Sequence, residues 1–291
     1  MCSISSSELT ARIVEKAKSL GATIAGVASV KSLKGSPSHQ IYPKIGMNLK
    51  VHWQDVKDDA KPDEVAWPVD AVSAIVIGVE HNIDNPELDW WDGKGTSGNR
   101  ILIRINNKLS AWIENSFSVK TYELPYFVSK GGIFLKDAAV FAGLGCLGKN
   151  NLVITPGLGP RIRFRALLID REAESTGPIN FNPCENCEQP CRKACPVKSF
   201  KKTVYSADAL GQSTLPGTNG TYDRVICNRK MDKDIGDAVM TVPAGDQEHS
   251  EVMQAIDEFE EGVAVKLNGD KLPSYCVKYC RRCELACPVG N

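Results

Sequence analysis

Apolar residues in the first part of the chain follow helical and strand periodicities in turn. Residues 22–28 predict a strand, and the nearly unbroken apolar run 72–80 predicts a central strand buried on both faces. Before them, a helix capped by Ser7 and ended by Gly21 is predicted from apolar residues at helical spacing: Leu9, Ile13, Val14, Ala17 and Leu20. This alternation indicates an α/β domain.

The same pattern continues through the next segments of the chain. Residues 100–114 fit an amphipathic helix, and residues 133–142 predict a shorter one. Two strands are predicted at 152–155 and 161–169, and the second alternates charged with apolar residues as a half-buried strand does. These four elements extend the α/β pattern.

The regular pattern stops after Asp170, where Pro, Asn and Cys become frequent. We therefore place a domain boundary near residues 172–182. The prediction is an α/β domain of residues 1–175 and a second module of residues 176–291. An acidic helix is expected near 247–263, inserted between two cysteine-rich blocks.

Composition narrows the classes of partner. The 291 residues include 35 basic and 35 acidic side chains, so the net charge is zero. A nucleic acid or an anionic membrane as an obligatory partner would favour a basic excess, and neither is expected. No apolar run reaches the roughly 20 residues that cross a bilayer. The N-terminus has neither the apolar core of a signal peptide nor a twin-arginine pair, so the predicted location is cytoplasmic.

Cysteine is the most informative residue type. Nine of the eleven cysteines lie between Cys184 and Cys287. In a reducing compartment such clustering indicates metal binding rather than disulfides. The sequence therefore predicts a metal-binding second module.

The cysteines form two blocks whose spacing is typical of bacterial ferredoxins, with close cysteines followed by Cys-Pro. The blocks end at Cys195-Pro196 and Cys287-Pro288. They predict two 4Fe–4S clusters that exchange their last ligands, one held by Cys184, Cys187, Cys191 and Cys287, the other by Cys195, Cys280, Cys283 and one more cysteine. The first block has one residue more than usual, at Gln189-Pro190. Structural zinc is the alternative, although zinc ribbons favour well-separated Cys-x2-Cys pairs.

The eighth ligand has two candidates. Local spacing favours Cys276, because Cys276-x3-Cys280 resembles a compact ferredoxin loop. Cys227 is the other candidate, and the unused thiol needs no function, since free cysteines are commonly buried.

A glycine-rich segment precedes the two strands at 152–169. Its Gly143-x-Gly145-x-x-Gly148 spacing matches a dinucleotide-binding fingerprint. That fingerprint requires a strand before it and a helix after it. Here the predicted order is the reverse, which argues against a dinucleotide site.

The segments 142–151 and 154–161, followed by the two cysteine blocks, resemble the epoxyqueuosine reductases and reductive dehalogenases. The resemblance implies a nitroreductase-like (α+β) domain that binds base-off cobalamin, beside a bacterial ferredoxin-like module with two 4Fe–4S clusters. Electrons from a ferredoxin or flavodoxin would cross the Cys195 cluster, then the Cys184 cluster, and reduce cobalt to Co(I). The resemblance favours Cys227 as the eighth ligand and implies these cofactor-binding residues: Gly143, Gly145, Cys146, Gly148, Lys149 and Asn150.

Several positions depart from the epoxyqueuosine reductases. Their catalytic aspartate corresponds to Ser129, beside Lys130, and their usual tryptophan corresponds to Cys146. The sequence also ends without their tRNA-binding helical repeats, so epoxyqueuosine is not the expected substrate. In reductive dehalogenases a tyrosine near a cation protonates the product, and Tyr122 or Tyr126 with Lys130 could do so here. The candidate catalytic residues are Tyr126, Lys130 and Cys146, with packing in the core as the alternative for the tyrosine and the thiol.

Three functions remain open on the sequence. The first is a cobalamin-dependent iron–sulfur oxidoreductase that reduces a small-molecule substrate. The second is an electron-transfer or activating protein that reduces a separate corrinoid protein. The third is a two-cluster reductase without a corrinoid.

Overall fold

The computed structural model describes residues 4–45, 65, 67–81, 96–126, 128, 131–239 and 279–290. The helices and strands are, in chain order, α1 (Ser6–Ser19), β1 (Ile24–Ser29), α2 (Val30–Lys34), α3 (Pro37–Ile45), β2 (Ser73–Glu80), α4 (Ser97–Phe117), β3 (Thr121–Glu123), α5 (Leu135–Phe141), β4 (Cys146–Leu147), β5 (Val153–Ile154), β6 (Ile162–Ile169), α6 (Pro190–Lys193), α7 (Ala207–Leu210), α8 (Arg224–Val239) and α9 (Arg282–Leu285).

Four strands form one sheet in the order β1-β2-β6-β3, and all of its pairings are antiparallel. Strand β2 lies inside this sheet, and seven of its eight residues are buried. Helices cover both faces of the sheet, so β2 side chains pointing to either face are buried. A polar residue at every second position would therefore have been buried as well. The predicted central strand at 72–80 is confirmed, and the α/β class becomes a mixed fold with a small antiparallel sheet.

The two faces of the sheet carry separate cores. On one face α1 and α4 pack against side chains such as Ile77 and Leu167. On the other face α2 and α5 pack against side chains such as Val76 and Leu168. Adjacent strand residues point to opposite faces, and this alternation explains why consecutive apolar residues serve different cores.

Capping residues mark the starts of α1 and α4, and one predicted cap is wrong. The cap of α1 is Ser5 rather than Ser7, and its hydroxyl accepts a hydrogen bond from the backbone of Glu8. Helix α4 confirms the prediction at 100–114, with Thr96 as its cap. Helix α8 has no counterpart in the sequence prediction, and the helix expected near 247–263 lies outside the described residues.

The chain after β6 remains attached to the sheet before it reaches the cysteines. The backbone N–H of Thr176 donates to Val27 at 2.9 Å, and the Thr176 hydroxyl donates to Ala142 at 2.6 Å. This segment therefore fixes the end of α5 to the edge strand β1. Within the described ranges, no helix is long and apolar enough to span a bilayer.

A buried polar network joins α3 to α5. Asp137 accepts hydrogen bonds from the Ser36 hydroxyl at 2.7 Å and from the backbone and hydroxyl of Ser38 at 2.8 and 2.6 Å. His39 contacts Ser36 through Nδ1 at 2.7 Å and accepts from the backbone of Phe134 through Nε2 at 3.2 Å. Because Nε2 accepts, Nδ1 carries the proton and the ring is neutral.

We expect His39 to make the fold less stable in mild acid. Burial, partly opposed by Asp137, lowers the pKa of His39 from 6.5 to about 4. The unfolded chain therefore binds a proton that the folded chain excludes, and stability present above pH 6.5 is lost as the pH falls towards 4. Calorimetric melting of the wild type should show a steeper fall of Tm across this range than His39→Gln. Parallel pH profiles would contradict this role.

Candidate functional site

The structure brings four cysteines together around α6 and the C-terminal segment. Burial and then the charges of Cys287, Cys184 and Cys187 raise the pKa of Cys191. Burial raises the pKa of Cys287, and Cys184 and Cys187 contribute again. We call Cys184, Cys187, Cys191 and Cys287 the first cysteine group.

A second set of four cysteines forms around α8 and α9. Burial raises the pKa of Cys283 to about 12, with further contributions from Cys227, Cys280 and Cys195. Burial raises the pKa of Cys227 too, and Cys195 and Cys280 contribute to it. We call these four the second cysteine group. Cys276, the other candidate for this position, lies outside the described residues.

Backbone N–H groups point at sulfur in both groups. Gln189 donates to Sγ of Cys187 at 3.4 Å, and Ser199 donates to Sγ of Cys195 at 3.3 Å. Gln189 takes the left-handed conformation at the start of α6, which accommodates the extra residue of the first block. In the part of the chain that the structure describes, no group of three His, Cys, Asp or Glu residues could hold a single metal ion.

Each cysteine group has a cation beside it, half-buried in one case and buried in the other. The Lys136 ammonium on α5 donates to the backbone oxygen of Asn151 at 2.6 Å, and burial lowers the pKa of Lys136 to about 8. Cys227 and Cys283 favour its charged form. Arg161 is almost fully buried, and its charge lowers the pKa of Cys287. These cations can offset the negative charge of thiolates.

A buried ionic network holds α9 against the sheet. Nε2 of His81, at the end of β2, lies 2.7 Å from Oε1 of Glu284. Arg281 donates to the same carboxylate through Nε at 2.9 Å and through Nη2. Burial raises the pKa of Glu284, but these hydrogen bonds outweigh it and lower the pKa overall. Glu284 is therefore ionised, and it fixes the helix that carries Cys283.

The glycine-rich segment packs against its own protein. A Cβ on Gly143, whose φ is +70°, would lie 2.5 Å from the carbonyl oxygen of Thr176. A Cβ on Gly145 would meet the carbonyl of Ile154, and one on Gly148 would lie 2.6 Å from an Ile154 methylene. The three glycines are thus explained by close packing. Their contact with a cofactor stays a prediction.

The remaining residues of that segment lie near the cysteine groups. Cys146, in β4, is half-buried, and burial followed by the charge of Cys184 raises its pKa to about 11. Lys149 accepts a hydrogen bond through its backbone oxygen from Nε of Arg192 at 2.8 Å. The Asn150 amide donates to the backbone oxygen of Cys283 at 3.4 Å. The glycine-rich segment therefore lies between α5 and the two cysteine groups.

The structure describes Tyr122 and Tyr126 among the candidate catalytic residues. Tyr126 is half-buried, and burial raises its pKa against the opposing charge of Arg165, so the phenol stays protonated at neutral pH. The Tyr122 hydroxyl is buried and has no hydrogen-bond partner among the described residues. Lys130 lies outside them. The pairing of a tyrosine with Lys130 stays a prediction.

Solved structures provide the comparison with known proteins. An epoxyqueuosine reductase from Streptococcus thermophilus matches at TM-score 0.53 and 18% identity, over 96% of this chain and 65% of that one. The Bacillus subtilis enzyme, with its catalytic loop swung out, matches at 0.54 and 19%, over 97% and 65%. An epoxyqueuosine reductase bound to an epoxyqueuosine-modified tRNA stem loop matches at 0.55 and 18%, over 97% and 65%.

These matches confirm the predicted resemblance as a shared fold. The chain spans just under two thirds of the length of the epoxyqueuosine reductases that it matches. A catabolic reductive dehalogenase matches at TM-score 0.47 and 14% identity, over 89% of this chain and 36% of that one. No family model and no curated protein matches the sequence.

Two features of the site were missed by the sequence analysis. Helix α8 positions Cys227, and Asp223 before it accepts a hydrogen bond from Ile226 at 3.0 Å, a cap that was visible in the sequence. The contact between His81 and Glu284 joins residues 203 positions apart. No local pattern could have revealed it.

We expect Glu284→Gln to destabilise the protein strongly. The substitution removes one charge from a buried network and leaves Arg281 without its ionic partner, at a cost of about 3 kcal/mol. Chemical denaturation of the wild type and the variant measures this cost. Glu188→Gln is the matched control, because Glu188 is 90% exposed and pairs with Lys193 only at the surface. Equal stabilities for the two variants would contradict the anchoring role.

Proposed function

We propose that the protein is an oxidoreductase that carries two 4Fe–4S clusters and a cobalamin and reduces a small-molecule substrate. The division of eight cysteines into two groups of four carries this proposal. When bound, the clusters would relay single electrons, and the cobalamin would supply a cobalt centre that is a strong nucleophile once reduced. Likeness to the epoxyqueuosine reductases supports the reductase class through the fold alone.

The cysteine groups fit clusters in their chemistry. Each group offers four thiols, the number of ligands that a 4Fe–4S cluster takes. Amide groups directed at Cys187 and Cys195 would stabilise the thiolate form, and the cations Lys136 and Arg161 would offset added negative charge. The raised pKa values of Cys191 and Cys283 describe thiols without metal; a bound metal deprotonates its ligands.

The glycine segment does not by itself fit a corrin. The space beside Gly143 and Gly145 is filled by the backbone of Thr176 and Ile154, so these glycines leave no cradle for a flat macrocycle. The cobalamin part of the proposal therefore rests on the sequence resemblance and the shared fold. No residue of the segment is given a catalytic step.

A reductive activator of a separate corrinoid protein is the second candidate. The same filled glycine segment favours it, because an activator needs the electron relay but no corrin of its own. Ferredoxin or flavodoxin is the proposed electron donor for both candidates, and a cytoplasmic location remains part of the proposal.

We expect an iron assay to show whether Cys227 or Cys276 is the eighth ligand. Anaerobically reconstituted wild type should bind about 8 iron and 8 sulfide per chain. Cys227→Ser should lose about half of both, while Cys276→Ser keeps them. Cys146→Ser is the matched control and should also keep them. Iron loss in Cys276→Ser with full iron in Cys227→Ser would assign the ligand to Cys276 instead.

Cobalamin retention separates the two functions. We expect the reconstituted protein to keep about one cobalamin per chain through anaerobic gel filtration and to show its absorption spectrum. Complete loss of cobalamin, together with reduction of an added corrinoid protein, would overturn the first function and favour the activator. Cys146→Ser tests the predicted role of Cys146 in cofactor binding and catalysis, and an unchanged cobalt spectrum and activity would end that role.

A further inference from the structure

Positive charge is concentrated next to the second cysteine group. Residues 192–204, here called the lysine segment, contain one arginine and four lysines and no acidic residue, although the whole chain is neutral. All four lysines are exposed: Lys193, Lys198, Lys201 and Lys202. The exposed loop of the first cysteine group is different, because it carries Glu185 and Glu188. Lys193 pairs with Glu188 at 3.5 Å, whereas Lys198, Lys201 and Lys202 follow Cys195 of the second cysteine group.

The lysine segment wraps directly around a cysteine of the second group. Ser199 donates its N–H to Sγ of Cys195, and Lys198 donates its N–H to the Cys195 carbonyl at 3.2 Å. Lys198 takes the left-handed conformation, which turns the chain at this point. Lys201 then donates to the Lys198 carbonyl at 3.0 Å. Two successive turns thus fold the backbone of residues 195–201 next to this sulfur, and Cys195 is itself only half-buried.

An apolar surface continues from the lysines. Val204 is 39% exposed, and Pro196 is exposed as well. Val204 borders a surface cavity of about 360 Å³ that Tyr205, Ala209 and Leu210 also line. An apolar centre with a charged rim is the usual composition of a protein interface.

We propose that the lysine segment is the docking surface for an acidic one-electron carrier protein. This inference rests on the proposed function, because it assigns the surface through which electrons would reach the second cysteine group. One electron would leave the carrier and be taken up at that group, with no bond broken. Electron tunnelling weakens steeply with distance, so the surface around a half-exposed ligand suits transfer better than any more distant surface.

The chemistry of the segment favours a protein over a nucleic acid. Single-stranded nucleic acids need exposed aromatic rings on which bases stack. The ring in the lysine segment and the ring next to it are both covered. Phe200 packs against Tyr222 at 5.5 Å and under Arg192 at 5.4 Å, and Tyr205, which follows the segment, is buried. Lysines around an apolar centre instead match an acidic protein surface, which they attract over distances of about a Debye length.

The test compares two triple variants of equal charge change. Lys198→Glu/Lys201→Glu/Lys202→Glu reverses the segment, and the control reverses exposed lysines elsewhere: Lys18, Lys31 and Lys108. Binding of an acidic bacterial-type ferredoxin is measured by biolayer interferometry, and reduction of the reconstituted protein by photoreduced ferredoxin is measured by stopped flow. A milder triple variant, with Gln in place of Glu, is measured in parallel.

At low salt we expect the Glu variant of the segment to bind ferredoxin at least about tenfold more weakly than the wild type. Its rate of reduction by ferredoxin should fall by at least about the same factor. The control should change by less than about twofold. Wild-type affinity should fall as salt rises from about 0.03 to about 0.3 M, and this dependence should be lost in the segment variant. The Gln variant should lie between the wild type and the Glu variant.

Four results would overturn the docking surface. They are an equal loss in the control variant, salt-independent binding by the wild type, loss of binding in the Glu but not at all in the Gln variant, and unchanged reduction by ferredoxin in the Glu variant. Reduction by photoreduced deazaflavin and the iron content should match the wild type in every variant. A wild type that binds no iron would instead overturn the proposed function, so the two failures are distinguishable.

Discussion

The return of the last twelve described residues to the sheet is the contact on which the candidate site depends. Each cysteine group needs at least one thiol from residues 280–287, so both groups are incomplete until this segment is held in place. Glu284 is fixed there by His81 and Arg281, and the Arg161 guanidinium donates to the carbonyls after Cys287. A buried ionic network is costly to desolvate, but once formed it tolerates few alternative arrangements.

The glycine-rich segment is the second support of the same arrangement. Its backbone oxygens accept from Lys136 on α5 and from Arg192 on α6, and Asn150 reaches the segment of Cys283. Close approach of the neighbouring backbone leaves no room for a Cβ at Gly143. The segment that most resembles the epoxyqueuosine reductases therefore has a packing role here, which agrees with likeness in fold at low sequence identity.

Charge is arranged locally in a chain that is neutral as a whole. The buried cation Arg161 and the half-buried Lys136 lie beside the cysteines, where a low dielectric makes each charge effective. Exposed lysines follow Cys195 in the chain, and the exposed carboxylates Glu185 and Glu188 follow Cys184 and Cys187. Net charge alone led to the expectation of no nucleic acid or anionic membrane as an obligatory partner. The tertiary arrangement shows where opposite charges separate.

The sequence by itself determined the local features. Apolar runs predicted β2 and α4, and cysteine spacing predicted two groups with exchanged last ligands. In the structure the thiols affect one another's pKa values in two such groups, with Cys227, the candidate that the resemblance favoured, in the second. Cys276, which spacing favoured, lies outside the described residues, and bound clusters stay a prediction. Only the tertiary structure gave the antiparallel order of the sheet, helix α8 around Cys227 and the partnership of His81 with Glu284. The physical reason is range: periodicity and spacing act over a few residues, whereas these contacts join segments far apart in the chain and form only when the core closes.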